Sequence, residues 1–252
     1  MQAPGHAGGV VSHLPGPGWT GKRLGRTSAA GWLQLPHGYT NATTLRAGVV
    51  RKSYLGPGAQ RRLRVERAAL SGLAGRFPVP AILPGGDGEL DVQAVASWHG
   101  QEVLDDSRHA SAVLRLCGQI RRRLSGIDPA TVPGLPGSGE VIVHGDFGPQ
   151  NLLLSSDAQD VLAVVDWEWC HRGSAVEDLA WAEWIVRMHH RAALPHLREL
   201  FGGYGIRPAW PERKAAMLRI CRRYREFSRQ WPNPDAARTW KERTAITQAF
   251  QP

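Results

Sequence analysis

The sequence predicts an α+β chain in two lobes, a small one mainly of strands with one helix and a larger one mainly of helices. Three observations carry this. Extended, alternating patterns fill much of the stretch before residue 100, as at Val49–Tyr54 and Leu90–Trp98. A single helical pattern, 59–73, interrupts them. Helical spacing then dominates from residue 108 onward, with one short hairpin before and after position 150. A chain of 252 residues can bury a substantial core in such an arrangement.

The elements follow in order. Residues 1–28, rich in Gly, Pro, Ser and Ala, are read as a mobile tail. They lack the charged-then-apolar pattern of a secretory signal. Residues 29–98 are assigned to the first lobe. There Leu35–Leu45 reads as strand, turn, strand, with Gly38 and Asn41 supplying turn chemistry. Backbone N–H groups of such a turn, at Thr40 and Asn41, can face phosphates. In the strand Val49–Tyr54, alternation puts Val50, Lys52 and Tyr54 on one face, so a cation shares a face with apolar neighbours. Gly56-Pro57-Gly58 breaks the chain, and helix 59–73 places Glu66 on the face of Leu63 and Leu70. Strand Lys followed by helix Glu suggests an ion pair that fixes Lys52 for nucleotide phosphates.

A strand over 90–98 ends the first lobe, and backbone groups at Ala96–Trp98 are positioned to meet a base. Residues 99–252 form the second lobe, with helices over 108–125, 176–193, 211–229 and 234–249. A Pro- and Gly-rich loop covers 129–139, and Pro208, Pro211, Pro232 and Pro234 punctuate the later helices.

Composition narrows the class. Hydrophobic content of 42% with 21% charged residues is that of a water-soluble globular chain. No apolar run approaches the ~20 residues that span a bilayer, so no membrane partner is expected and a cytoplasmic location is. Cys117, Cys170 and Cys221 are odd in number and lack ligand spacing, which argues for free thiols rather than a disulfide framework or a zinc site. The net charge of +9 is uneven: residues 144–183 hold one basic and eight acidic side chains, residues 184–252 fourteen basic and five acidic. No nucleic-acid-binding motif accompanies this charge, so no nucleic-acid partner is expected.

The chemistry centres on His144-Gly145-Asp146-Phe147-Gly148-Pro149-Gln150-Asn151, between the apolar runs Val141–Val143 and Val161–Val165. The second run ends on Asp166. A carboxylate at Asp146 can take the proton of a hydroxyl. An amide oxygen at Asn151 and a second carboxylate at Asp166 suit Mg²⁺, a hard cation that takes oxygen ligands. That division of labour is that of phosphoryl transfer.

With Val165-Asp166-Trp167-Glu168 and Glu177-Asp178-Leu179-Ala180 following, the chain resembles the aminoglycoside phosphotransferase and choline kinase family. These are small-molecule kinases of the protein-kinase-like fold. The resemblance covers roughly residues 30–185. It implies a two-lobe kinase-like fold with Asp146 as the catalytic residue. It also implies Mg²⁺ on ATP or GTP held by Asn151 and Asp166, with Lys52 at the phosphates and Glu66 steadying it. The acceptor would be a small-molecule hydroxyl. Asp178 is expected to be a buried structural residue and His144 a brace of the loop. Departures are the single Gly in the nucleotide loop and Trp167-Glu168 where protein kinases carry Phe-Gly. The alternative is a regulatory protein that binds nucleotide on this fold without catalysis. Acceptor charge is left open: the acidic block suits a polycation, the basic last third a neutral or anionic acceptor.

Overall fold

The computed structural model describes residues 31–35, 40–105, 109–231 and 234–252. The expected tail and Pro36–Tyr39 of the expected nucleotide loop lie outside the described residues.

The first lobe is an antiparallel sheet of β1 (Leu33–Gln34), β2 (Asn41–Arg46), β3 (Val49–Tyr54), β4 (Ile82–Leu83) and β5 (Glu89–Gln93), in the order β1-β2-β3-β5-β4. Ala47 and Gly48, both at positive φ, make the two-residue turn between β2 and β3, which matches the right-handed twist of paired strands. Helix α1 (Ala59–Leu73) has the expected bounds. Its buried side includes Leu63, Val65, Glu66, Leu70 and Leu73. Val50, Lys52 and Tyr54 are the buried face of β3, as the alternation requires.

The second lobe begins with β6 (Trp98–His99), α2 (Gly100–Leu104) and α3 (Ala110–Ser125). Next come β7 (Val141–Val143), β8 (Leu152–Leu154), β9 (Val161–Val164) and β10 (His171–Gly173). Helices α4 (Ala175–His189), α5 (Leu197–Tyr204), α6 (Trp210–Arg229) and α7 (Pro234–Gln248) complete it. Strands β6, β8 and β9 form one small antiparallel sheet, and β7 pairs with β10. The two pairings hold the segment His144–Asn151 between them: it leaves β7 and returns as β8. Helix α4 starts with a capping box, in which Ser174 and Glu177 satisfy each other's backbone N–H groups.

Several bounds differ from expectation. The strand expected over 90–98 stops at Gln93, because Ala94–Ser97 crosses between two sheets and Trp98 already pairs with Leu154 of the second lobe. Asn41 lies in β2 opposite Tyr54, not in a turn. The helix expected over 176–193 ends at His189, and a 3-10 turn, Arg191–His196, leads into α5. Pro195 and Gly202-Gly203 obscured α5, while α2 and β10 are too short to show a period.

One core cluster runs through both lobes, from Leu45 and Val50 to Leu200 and Phe201. A second joins α4 to α6 through Trp181, Trp184, Met217, Ile220 and Cys221, with Tyr224 and Trp240 packed against it. The three cysteines are free and buried, in line with expectation. No helix among the described residues is long and apolar enough to cross a membrane.

Candidate active site

The loop after β7 is fixed from behind. Asp178 at the start of α4 accepts the N–H groups of His144 (2.9 Å) and Gly145 (3.0 Å), and it is 1% exposed. Arg121 of α3 lies behind it, with Nε 3.0 Å from Asp178 Oδ2 and Nη2 donating to the Ile142 carbonyl. Buried charges are tolerated when paired: Asp178 is paired and hydrogen-bonded, and Arg121 is paired with it and hydrogen-bonded through Nη2, while its Nη1 finds no hydrogen-bond partner among the described residues. Asp178 is thus the structural residue expected of it. Gly145 has φ 84°, and a Cβ there would meet the Trp169 carbonyl at 2.3 Å, so only glycine fits.

His144 braces the loop, as expected. Its Nε2–H donates to the Val165 carbonyl (2.9 Å), which leaves Nδ1 to accept the Asp146 N–H (3.2 Å). Burial holds the imidazole below its ordinary pKa, so it stays neutral in this role. The ring therefore ties the residue before Asp166 to the backbone of Asp146.

Asp146 is half-buried and receives three neutral donors. Trp181 Nε1 (2.7 Å) and the Tyr224 hydroxyl (3.1 Å) donate to Oδ1, and Asn151 Nδ2 (3.1 Å) donates to Oδ2. Burial, then the nearby Asp166 charge, push its pKa up to about 6; the three donors pull it down. A carboxylate so placed is ionised at neutral pH yet basic enough to take a proton. Asn151 reaches it through the 3-10 turn Pro149–Asn151 and also donates to the Asp146 carbonyl (2.7 Å).

Across the cleft, Lys52 Nζ bridges Glu66 (2.7 and 2.8 Å) and Asp166 Oδ1 (2.7 Å). Burial disfavours the ammonium, but Asp166 and Glu66 outweigh it and hold Lys52 well above its ordinary range. The same ammonium holds Asp166 below the usual carboxylate range despite burial. Glu66 further accepts the Tyr54 hydroxyl and the Trp167 N–H. The expected Lys52–Glu66 pair is present, and it includes Asp166. Asp166 adopts φ 69°, a left-handed conformation that costs a non-glycine residue of order 1 kcal/mol. The ion pair with Lys52 holds it there.

A second set of contacts was not foreseen. Glu168, 3% exposed, accepts from Thr40 Oγ1 (2.7 Å), Asn41 Nδ2 (2.9 Å) and Arg62 Nη1 (2.7 Å). The side chains of Thr40 and Asn41, whose backbone N–H groups are the ones expected beside phosphates, are engaged with Glu168, and they fasten β2 to the segment after Asp166. Ala96 lies in the connector between lobes and Trp98 in β6. Arg62 carried no signal in the sequence beyond being one of several arginines in α1. Trp181 and Tyr224 were legible only as aromatics, 35 and 78 residues from Asp146.

The oxygens left over are of the kind a hard cation takes. Asn151 spends its amide N–H groups on Asp146, and Asp166 spends Oδ1 on Lys52, which leaves Asn151 Oδ1 and Asp166 Oδ2 without a hydrogen-bond partner among the described residues.

Residues 133–216 match the phosphotransferase enzyme family, a span that contains the catalytic loop, Asp166 and Asp178. Among solved structures, aminoglycoside 2'-phosphotransferase-IIIa in its GDP complex superposes with TM-score 0.67 at 13% identity, over 86% of this chain and 91% of that one. The macrolide 2'-phosphotransferase from Brachybacterium faecium does so with TM-score 0.63 at 14% identity, over 90% and 95%. A choline/ethanolamine kinase family protein from Mesorhizobium loti gives 0.60 at 14%, over 92% and 89%. No curated protein matches by sequence. In the family segment it carries and in the fold that displays it, the chain is similar to the aminoglycoside phosphotransferase and choline kinase family, the small-molecule kinases of the protein-kinase-like fold.

Proposed function

We propose that this protein transfers the γ-phosphoryl group of ATP or GTP to a hydroxyl of a small molecule, with Asn151 and Asp166 as the residues that hold Mg²⁺. One observation carries the reading: Asp146 is bound only by neutral donors, while Lys52 is anchored by two carboxylates, Glu66 and Asp166. Base and phosphate-binding cation are thereby separated, as phosphoryl transfer requires. Lys52 contacts the phosphates, and the backbone at Thr40, Asn41, Ala96 and Trp98 borders the nucleotide. Mg²⁺, when bound, neutralises phosphate charge. The acceptor oxygen forms the new bond to phosphorus, the bond to the bridging oxygen breaks, the proton passes to Asp146, and the nucleoside diphosphate leaves. Positioning and electrostatics carry the reaction, with no covalent enzyme intermediate. Neighbouring folds described with GDP, and with AMP-PNP and hygromycin B together, support a nucleotide and a small hydroxylated acceptor. A cytoplasmic setting, where ATP and Mg²⁺ occur together, belongs to this reading.

The test is nucleotide consumption by the purified protein against aminoglycosides, amino alcohols, sugars and nucleosides. Diphosphate release should depend on acceptor and on Mg²⁺, and Asp146→Ala should abolish it while nucleotide still binds. Nucleotide binding with no transfer to any member would favour the regulatory alternative.

A further inference from the structure

The acidic block 144–183 suggested a site for a polycation, yet the structure commits its acids elsewhere. Asp166 and Glu168 are tied to Lys52 and to Arg62, and Asp178 to the loop N–H groups and Arg121. Glu177 is taken by His171 (3.2 Å) and the Ser174 N–H (3.0 Å), and Glu183 by Arg187 and Arg213. Asp157 and Asp160 lie exposed in the turn between β8 and β9. Asp146 is the base itself. Apart from Asp146, the carboxylates of this block without a cationic partner among the described residues are the exposed Asp157 and Asp160 of that turn.

The aromatic wall beside Asp146 does not serve a cation either. Trp181 stacks on Trp184 (4.2 Å between centroids, 9°), and Tyr224 stacks on Trp240 (4.7 Å, 11°). Ring faces that could attract a ligand cation are covered by the protein's own guanidinium groups. Arg223 sits 5.3 Å from the Trp169 centroid and 5.1 Å from that of Tyr224; Arg243 sits 4.7 Å from that of Trp240.

Arg223 is the group that remains available. It is half-buried on α6 and donates through Nη2 to the carbonyl of Gly145, the residue before the catalytic Asp146. Its Nε is buried without a hydrogen-bond partner among the described residues, and the carboxylate that feels its charge, Glu177, is hydrogen-bonded to His171 and the Ser174 N–H. A guanidinium has five N–H donors in a planar fork that suits carboxylate and phosphate oxygens. Charge on the last third agrees, with fourteen basic against five acidic residues after position 183.

We infer that the acceptor is an anionic hydroxyl compound, whose carboxylate or phosphate-like group is bound by Arg223 beside the Asp146 carboxylate, and not a polycationic or ammonium-bearing one. The inference rests on the phosphotransferase reading. In it the acceptor hydroxyl takes the place of the Tyr224 hydroxyl at Asp146 Oδ1, and Arg223 sets the distance from that hydroxyl to the anionic group.

The experiment uses the full chain without nucleotide and follows tryptophan fluorescence and ligand-observed NMR. The probes are 4-(hydroxymethyl)benzoate, glycerate and shikimate, against benzyl alcohol, glycerol, choline and hygromycin B. The carboxylates should bind at least about tenfold tighter than their neutral partners, the scale of one charge-assisted hydrogen bond. Arg223→Gln should remove that preference and Arg223→Lys should restore part of it. Tighter binding of choline or hygromycin B, no carboxylate binding, or a preference unchanged in Arg223→Gln would overturn the inference. So would an Arg223→Gln effect confined to Mg²⁺–ATP affinity, which would give the guanidinium to the γ-phosphate instead. Mg²⁺–ATP titration of the wild type tests the underlying reading separately: carboxylate binding without nucleotide binding sinks that reading and leaves the anion site standing.

Discussion

Two neighbouring carboxylates of the candidate site differ in the partners they face. Asp166 faces an ammonium and is held below the usual range; Asp146 faces only neutral donors and rises to about 6. Both are Asp at the edge of an apolar strand, so residue type does not separate them. The partner does. A cation at 2.7 Å fixes Asp166 as a permanent anion, fit to hold metal and lysine. An indole, a phenol and an amide stabilise Asp146 enough to ionise it while leaving it a competent base. Pushing two acids apart in this way assigns their roles.

The comparison can be broken most strongly at Asp146. Asp146→Asn should lower kcat by about 10²–10⁴-fold with nucleotide affinity retained, because the base is gone and the cation side is intact. Parallel loss of Mg²⁺–nucleotide binding in a calorimetric titration would show that the two sides are not separate. On the cation side, Glu66→Ala leaves Lys52 with Asp166 alone and removes the acceptor of Tyr54 and Trp167. It should cost about 3 kcal/mol in chemical denaturation, at the low end for a broken buried pair. An unchanged midpoint would refute the anchoring role.

A pH profile sharpens the contrast further. Asp146 must be ionised to accept a proton, so kcat/KM should be flat above its pKa of about 6 and fall on acidification below it. Asp166, held low, should not contribute to that limb. A limb near pH 4 would mean that burial does not act on Asp146 as described. The smallest effects test the neutral donors. Trp181→Phe removes a hydrogen bond to the charged form, so the limb should move upward, by about one pH unit. Tyr224→Phe should move it in the same direction by less, since that bond is longer (3.1 against 2.7 Å). A downward shift in either variant would reverse the sign of the donor's role.

Much of the cleft was legible because its signals are local. Asp146, Asn151 and Asp166 lie within 21 residues beside short apolar strands, and the alternation of β3 with the spacing of α1 puts Lys52 and Glu66 each on an apolar face. The differences fall where partners are remote. Asn41 reads as a turn residue but lies in β2, and Glu168, which binds the side chains of Thr40 and Asn41, is 128 and 127 residues away. The strand 90–98 looked continuous because alternation cannot report that its end belongs to a different sheet.

The order of strands before helices, the grouping of Asp146 with Asn151 and the Lys52–Glu66 pairing were legible in the sequence alone, since periodicity and short spacing fix which side chains share a face. Only the tertiary structure decided what surrounds them. It spent Asp166, Glu168, Glu177, Asp178 and Glu183 on partners within the fold, placed Trp181 and Tyr224 on Asp146, and set Arg223 at Gly145. The physical reason is that a carboxylate's charge, pKa and availability depend on groups within a few ångströms, and those groups come from parts of the chain whose distance in sequence carries no trace of their contact.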